Sequence, residues 1–333
     1  MFRFGILGAS WFAQKRMIPA MQAARDIQVV ALASRDGAKA AETARAAGIP
    51  KSYGSYEALL ADPDVDAIYN PLPNHLHVPW SERAAAAGKH VLCEKPIALD
   101  AAAARRLIAA RERSGRLICE ASMVRVHPRW IAAREAIRQG KIGALRVFSG
   151  TFAYLLRSRD NVRYDASMGG GVLLDVGFYP VTLSRFCFEA EPVAAFARAD
   201  RDPETGVDRL TSGILEFPGG HATFTCGMEL APAQHALLLG TRGHLDVPMA
   251  WTPSPDRPSE MTLETSATLE EPAPERLAFE AINPYTRLVE RFAAAATGGG
   301  PGPVPLEDSV KNMAALDALS RAAQTGRWEP VQG

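Results

Sequence analysis

Short apolar runs alternate with longer stretches of helical spacing from Phe2 to Ser122. Phe2–Leu7, Ile27–Ser34, Val65–Tyr69, His90–Cys93 and Leu117–Ser122 read as buried strands. Helical spacing follows the first strand to about Ala24, recurs in the Tyr56–Ala61 region, and returns over about Val78–Ala87 and roughly Asp100–Arg113. Asp36 and Asp100 stand where N-caps belong, and Gly88 where a C-cap belongs. This alternation predicts a doubly wound parallel sheet. A further helix is expected to end near Gly140.

Beyond it the pattern changes. Leu145–Leu155 is a long strand-like run, and Val193–Arg198, Gly213–Phe217, His221–Leu230, Ala236–Leu239 and Met261–Thr265 are further strand candidates with few helices between them. This half is expected to be α+β, with a large, mostly antiparallel, open-faced sheet. One face should cover a helix, and the other is a candidate subunit interface for a homodimer or homotetramer. Asp246–Pro274, rich in proline and acids, reads as an irregular surface excursion, and Asn283–Thr297 and Leu306–Thr325 read as closing helices. The expected domains are 1–122, 123–305 and a C-terminal helix and tail, 306–333, packing back on the core.

Composition narrows the function classes. A hydrophobic share of 47% with 22% charged residues is that of an ordinary globular protein. A net charge of zero carries no electrostatic footprint for nucleic acid. No apolar run approaches the length of a bilayer span, and the apolar start is too short for a signal peptide, so neither membrane nor export is expected and the cytoplasm is the expected compartment. Cys93, Cys119, Cys187 and Cys226 form no C-x-x-C pair and read as buried free thiols. His75 and His77 lie close together without a third ligand, so no metal is expected.

Three stretches carry chemistry. Gly8-Ala9-Ser10-Trp11-Phe12-Ala13 follows a strand and opens a helix, like the dinucleotide-binding G-x-G-x-x-G/A pattern with Ser10 in the second glycine's place. Gly8 suits the tight turn, and amides at the helix start suit a pyrophosphate. At the end of the second strand, Ser34 and Arg35, with Lys39 a turn later, suit a ribose 2′-phosphate and favour NADP over NAD. His90–Cys93 runs into Glu94-Lys95-Pro96, which places Lys95 at a strand's carboxyl end on a stiff backbone. Gly169-Gly170-Gly171 precedes a helix-like run with Asp175 and Tyr179 at i and i+4, hence on one face.

Together these segments, with Pro71-Leu72-Pro73-Asn74 and Met123-Val124-Arg125-Val126-His127-Pro128, resemble the glucose–fructose oxidoreductase, inositol dehydrogenase and rhizopine family, written Gfo/Idh/MocA. Tyr179, where inositol dehydrogenases carry histidine, resembles the subgroup of NADP-dependent D-xylose dehydrogenase, dimeric dihydrodiol dehydrogenase and glucose–fructose oxidoreductase. The resemblance implies an N-terminal Rossmann domain binding NADP and a C-terminal α/β domain that mediates oligomers. It implies a small-molecule substrate (a sugar, polyol or dihydrodiol). It implies cofactor contacts from Gly8, Ala9, Ser10, Trp11, Phe12, Ser34, Arg35, Lys39, Pro71, Leu72, Asn74, His77, Glu94, Lys95 and Arg163, and substrate contacts from Arg125, Arg163 and Tyr179.

Oxidising an alcohol requires a base for the hydroxyl proton while hydride leaves the carbon. A free phenol titrates near ~10, and a neighbouring ammonium favours its ionised form. Lys95, Tyr179 and Asp175 are therefore the expected catalytic residues: Tyr179 exchanges the proton, Lys95 lowers its pKa and holds the substrate oxygen, and Asp175 orients the substrate or Lys95. Alternatives are a trans-dihydrodiol dehydrogenase or reductase of non-sugar carbonyls, and a dinucleotide-sensing regulatory protein without turnover.

Overall fold

The structure is a computed structural model of the 333-residue chain and describes residues 1–265 and 274–332. Its chain divides into two compact units, Met1–Met123 with Asn283–Val310, and Val124–Ile282 with Lys311–Gly333.

The first unit alternates strand and helix as expected. In order come β1 (Phe2–Leu7), α1 (Ile18–Gln22), β2 (Ile27–Ala33), α2 (Gly37–Ala46), β3 (Lys51–Tyr53), α3 (Tyr56–Leu60), β4 (Ala67–Asn70), α4 (His77–Ala86), β5 (His90–Cys93), α5 (Ala101–Ser114) and β6 (Ile118–Glu120). Among the described residues they form a six-stranded sheet, β3-β2-β1-β4-β5-β6, parallel throughout. Phe4, Ile6 and Leu7 of β1 are fully buried, as they must be in a sheet covered on both faces. The strand order reverses between β1 and β4, which is where doubly wound sheets open a ligand crevice. Asp36 caps α2 by accepting from the Lys39 amide, and Asp100 caps α5 by accepting from the Ala103 amide. Strand β3 has only three residues, too few for the pattern to show.

In the second unit α6 (Pro128–Arg138) and α7 (Phe178–Phe188) accompany β7 (Leu145–Leu155), β8 (Ala194–Arg201), β9 (Asp208–Phe217), β10 (Gly220–Gly227), β11 (Glu229–Gly240), β12 (His244–Pro248), β13 (Ser259–Glu264), β14 (Glu275–Phe279) and β15 (Glu329–Pro330). The described strands form one sheet, β14-β13-β12-β11-β7-β10-β9-β8-β15, antiparallel except for β7 beside β10.

Several expectations need correction. The Asp246–Pro274 excursion is largely built structure: it ends β12, contributes β13 and buries Ala250 and Trp251 completely, while residues 266–273 lie outside the described part. The reason is Trp251. It stacks between Trp130 and Phe152, and its indole N–H donates to the Thr151 carbonyl at 2.7 Å. The buried Arg129 guanidinium ties down the same segment through the carbonyls of Pro248, Met249, Ala250 and Glu260.

The segment Ala166–Phe188 has the length and apolarity of a membrane span, contrary to the reading that no run approaches one. Of its most apolar window, 83% is buried inside the protein, which accounts for the composition.

The boundary at 305 also moves. Residues from Asn283 group with the first unit, because α8 (Pro284–Gly298) packs Phe292 on Phe2 and Phe4 and bonds the Thr286 hydroxyl to the Ala20 carbonyl. The last helix, α9 (Leu306–Thr325), begins in the first unit and continues into the second, and β15 then pairs with β8.

Candidate active site

In the first unit the candidate residues gather on the loops after β1, β2, β4 and β5. Gly8 has φ +84°, and a Cβ there would lie 3.0 Å from Leu72 Cδ2. Only glycine gives this turn without strain. Ser10 accounts for the missing second glycine: its hydroxyl accepts from the Ala13 amide at 3.1 Å and so starts the helix. Gln14 braces the turn through the Ala9 carbonyl at 2.9 Å. Trp11 is exposed, and the Phe12 ring packs edge-on against Tyr285.

After β2, the Ser34 hydroxyl accepts from the Asp36 amide at 3.2 Å. The Asp36 carboxylate is committed to capping α2, so the acid that follows this strand is spoken for. Arg35 and Lys39 are exposed, and the Arg35 guanidinium interacts with the Tyr56 phenol. The cradle at Gly8 and two exposed cations without a competing ribose-binding acid fit a 2′-phosphorylated dinucleotide.

The loop after β4 hangs on a side chain the sequence reading passed over. Asn70 is fully buried. Its amide donates to the His77 carbonyl at 3.0 Å and the Ser81 hydroxyl at 3.2 Å, and its oxygen accepts from the Leu72 amide at 3.3 Å. Pro71, Leu72 and Asn74 are thereby held in place. His77 is buried, with ring nitrogens 2.7 Å from the Leu72 and Pro96 carbonyls. Burial drives its pKa down to about 4, against two carbonyls that favour the cation. Its role is to tie the β4 loop to the β5 loop.

Glu94 accepts from the Tyr69 hydroxyl at 2.7 Å and the Lys95 amide at 3.2 Å, and burial pushes its carboxyl up. The Lys95–Pro96 peptide bond is cis. On its far side the Ile97 amide donates to the buried Glu120 carboxylate at 2.8 Å, and Glu120 also accepts from Ser309 at 3.1 Å. The backbone carrying Lys95 is thus pinned from both directions, while its side chain is half-buried.

In the second unit, Gly170 sits against the Arg163 and Asp165 carbonyls, where a Cβ would come within 2.6 Å and 2.7 Å. Gly171 has φ +106°, and a side chain there would collide with Asp208. The half-buried Asp208 carboxylate accepts from the Leu173 amide at 2.8 Å and the Thr211 hydroxyl at 2.7 Å, holding the helix start.

That helix opens with a π-turn, Leu173–Gly177, before α7. The expected i, i+4 stacking of Asp175 and Tyr179 is therefore altered, because a π-turn widens the step between successive turns. Asp175 faces Arg163, whose Nε and Nη2 donate to its two oxygens at 2.6 Å and 3.0 Å, and Tyr154, whose hydroxyl donates at 2.6 Å. The carboxylate raises the Arg163 pKa. Burial, reinforced by that carboxylate, raises the Tyr154 phenol. Tyr154 was invisible to the sequence reading, since one tyrosine in a long strand carries no signal of its own. Tyr179 is buried, tilted against Phe152 at 5.4 Å and edge-on to Phe178 at 5.7 Å. Its phenol contributes to the electrostatic environment of Arg163.

Arg125 belongs to the second unit. Its guanidinium donates to Thr182 at 3.2 Å and lies 4.5 Å over the Phe186 ring, which commits it to α7. No cluster of potential metal ligands occurs among the described residues.

The chain is similar to known proteins along both of its units. Residues 2–121 match the profile described as the oxidoreductase family with NAD-binding Rossmann fold, and residues 130–246 match the GFO/IDH/MocA C-terminal domain. The chain is 44% identical over 330 residues to an uncharacterized oxidoreductase of Rhizobium meliloti, covering 99% of both chains. It is 37% identical to D-xylose 1-dehydrogenase (NADP(+)) 2 of Haloferax volcanii, over 97% of this chain and 98% of that one. A 3-ketoreductase from Actinomadura kijaniata, solved in complex with NADP and TDP-benzene, superposes with a TM-score of 0.89 at 31% identity, over 96% of this chain and 97% of that one. With residues 2–121 and 130–246 matching the family's two domains and relatives covering nearly the whole chain, the chain belongs to the Gfo/Idh/MocA family of oxidoreductases.

Proposed function

We propose that the protein is an NADP-dependent oxidoreductase acting on a CH–OH or carbonyl carbon of a sugar or related cyclic polyol, with Lys95 and Tyr179 handling the proton. The observation that carries the reading is the anchoring of Lys95. Glu94, His77 and Glu120 fix the turn that bears it, at the carboxyl end of β5, among the loops that suit a dinucleotide. A lysine held this firmly keeps its aim, and aim governs proton-transfer catalysis. A bound nicotinamide would supply hydride transfer, and the protein supplies position and field. Gly8, Ala9, Ser10 and Trp11 would hold its pyrophosphate, and Arg35 with Lys39 its 2′-phosphate. The xylose dehydrogenase and the NADP-bound ketoreductase among its relatives support this choice.

Tyr179 is the group that takes the hydroxyl proton in oxidation and returns it in reduction. Asp175, with Arg163 and Tyr154 on its oxygens, shapes the surroundings of Tyr179 besides orienting the substrate or Lys95. A second reading, an oxidoreductase of flat, non-sugar diols or carbonyls, is favoured by the aromatic wall of Phe152 and Trp251 behind Tyr179. The test is a screen of aldoses, anhydro-sugars, polyols and dihydrodiols that follows NADPH absorbance. Turnover of aldoses or cyclic polyols supports the first reading, turnover of dihydrodiols alone the second, and no turnover of any member overturns both.

A further inference from the structure

We propose that Tyr154 is a positioning residue for the reaction: its hydroxyl and the Arg163 fork together fix the Asp175 carboxylate, and through it the field at the Tyr179 phenol. This deepens the proposed function and rests on it.

Asp175 Oδ2 receives two short bonds, from Tyr154 and from Arg163 Nε, each at 2.6 Å, while Oδ1 receives Arg163 Nη2 at 3.0 Å. The carboxylate is nearly enclosed, with a side-chain exposure of 11%. Charge-assisted bonds of this length restrict both the position of the group and the spread of its charge. Tyr154 is the one tyrosine of β7, half-buried, and its ring is braced by Phe152 at 6.4 Å. Phe152 is also the ring against which Tyr179 rests. One strand therefore supports both the hydroxyl that holds Asp175 and the ring that backs Tyr179.

Charged and titratable groups on neighbouring elements surround this arrangement. Arg163 comes from the turn before the glycine run. Cys226 of β10, buried, and Asp208 of β9, half-buried, flank the π-turn, with Cys226 raised well above its ordinary value and Asp208 raised by desolvation. Arg125, from the segment before α6, and Arg134, on α6, are stacked over Phe186 further along α7, where Arg185 pairs with Glu191. The Arg163 cation is coupled electrostatically to the Asp175 anion and to the Tyr154 and Tyr179 phenols.

Removing the Tyr154 hydroxyl takes one donor from the carboxylate. Its charge then acts more strongly on the phenol and resists its ionisation. The test is Tyr154→Phe, which keeps the ring, assayed in the full chain against the same panel of aldoses, anhydro-sugars, polyols and dihydrodiols. In oxidation the rising limb of the kcat/KM–pH profile should move up by about one unit, with roughly tenfold loss at neutral pH that recovers at higher pH. In reduction the falling limb should move up by the same amount. A loss in both directions with neither limb displaced marks a merely structural role and overturns the inference, while leaving the proposed function standing. Wild-type protein that turns over no member of the panel overturns the proposed function and this role with it.

Discussion

Arg163 and Asp175 meet as a two-pronged ion pair, Nε on one carboxylate oxygen at 2.6 Å and Nη2 on the other at 3.0 Å. The pair joins the turn before the glycine run to the π-turn that leads into α7, and so it locks the segment that presents Tyr179. Replacing the guanidinium by an apolar side chain takes a two-pronged cationic partner from a buried carboxylate. Arg163→Met should cost about 2 kcal/mol in urea unfolding, because a buried charge loses its partner. The double variant Arg163→Met, Asp175→Asn should recover part of that loss. A double variant no more stable than the single one would show that the pair is not the source of the cost.

Cofactor choice is read at the end of β2. Arg35→Ala should weaken NADPH binding by about 10–100-fold, the worth of charge-assisted hydrogen bonds to a phosphate, and leave NADH binding nearly unchanged. Titration of both nucleotides by fluorescence checks this, and equal losses for the two would contradict a phosphate role for Arg35.

Asn70 has all of its bonding capacity turned inward. Asn70→Ala should lower stability by about 2 kcal/mol, since the Leu72 amide and the His77 carbonyl are left short of a partner. It should also weaken NADPH binding, because the Pro71–Asn74 loop loses its anchor. Unfolding and binding measured on the same preparation separate the two effects, and an unchanged unfolding midpoint would remove Asn70 from this role.

The four cysteines are all buried and free. Burial pushes Cys119 and Cys187 up to about 12, and Cys93 and Cys226 well above the ordinary thiol value. Thiolate is the reactive form, so a thiol reagent at mildly alkaline pH should label none of them in the native protein and all four after denaturation. Rapid native labelling would contradict their burial.

The parallel half of the fold was legible because its strands are buried on both faces and read as unbroken apolar runs, and because Asp36, Asp100 and Gly88 punctuate its helices. The second half was less so. Strand β12 and the buried Trp251 were lost in a proline-rich stretch, because a side chain's burial partner cannot be read from its own neighbours in sequence. The assignment of α8 to the first unit depends on Phe292 meeting Phe2 and Phe4, a contact between the two ends of the chain. At the site, the sequence singled out residues of known chemical type, such as Lys95, Asp175 and Tyr179. It was silent about their supports, Asn70, Glu120 and Tyr154, whose roles exist only through hydrogen bonds that the folded chain makes. The π-turn escaped as well: helical periodicity assumes an even step, and one widened turn reorients Asp175.

The most direct test is the turnover of Lys95→Met on a substrate that the wild-type protein oxidises, with NADPH affinity measured alongside. Proton handling at Lys95 predicts a fall in kcat of about 100-fold or more, with NADPH affinity kept within about a factor of three. Near-wild-type turnover in that variant would contradict the account.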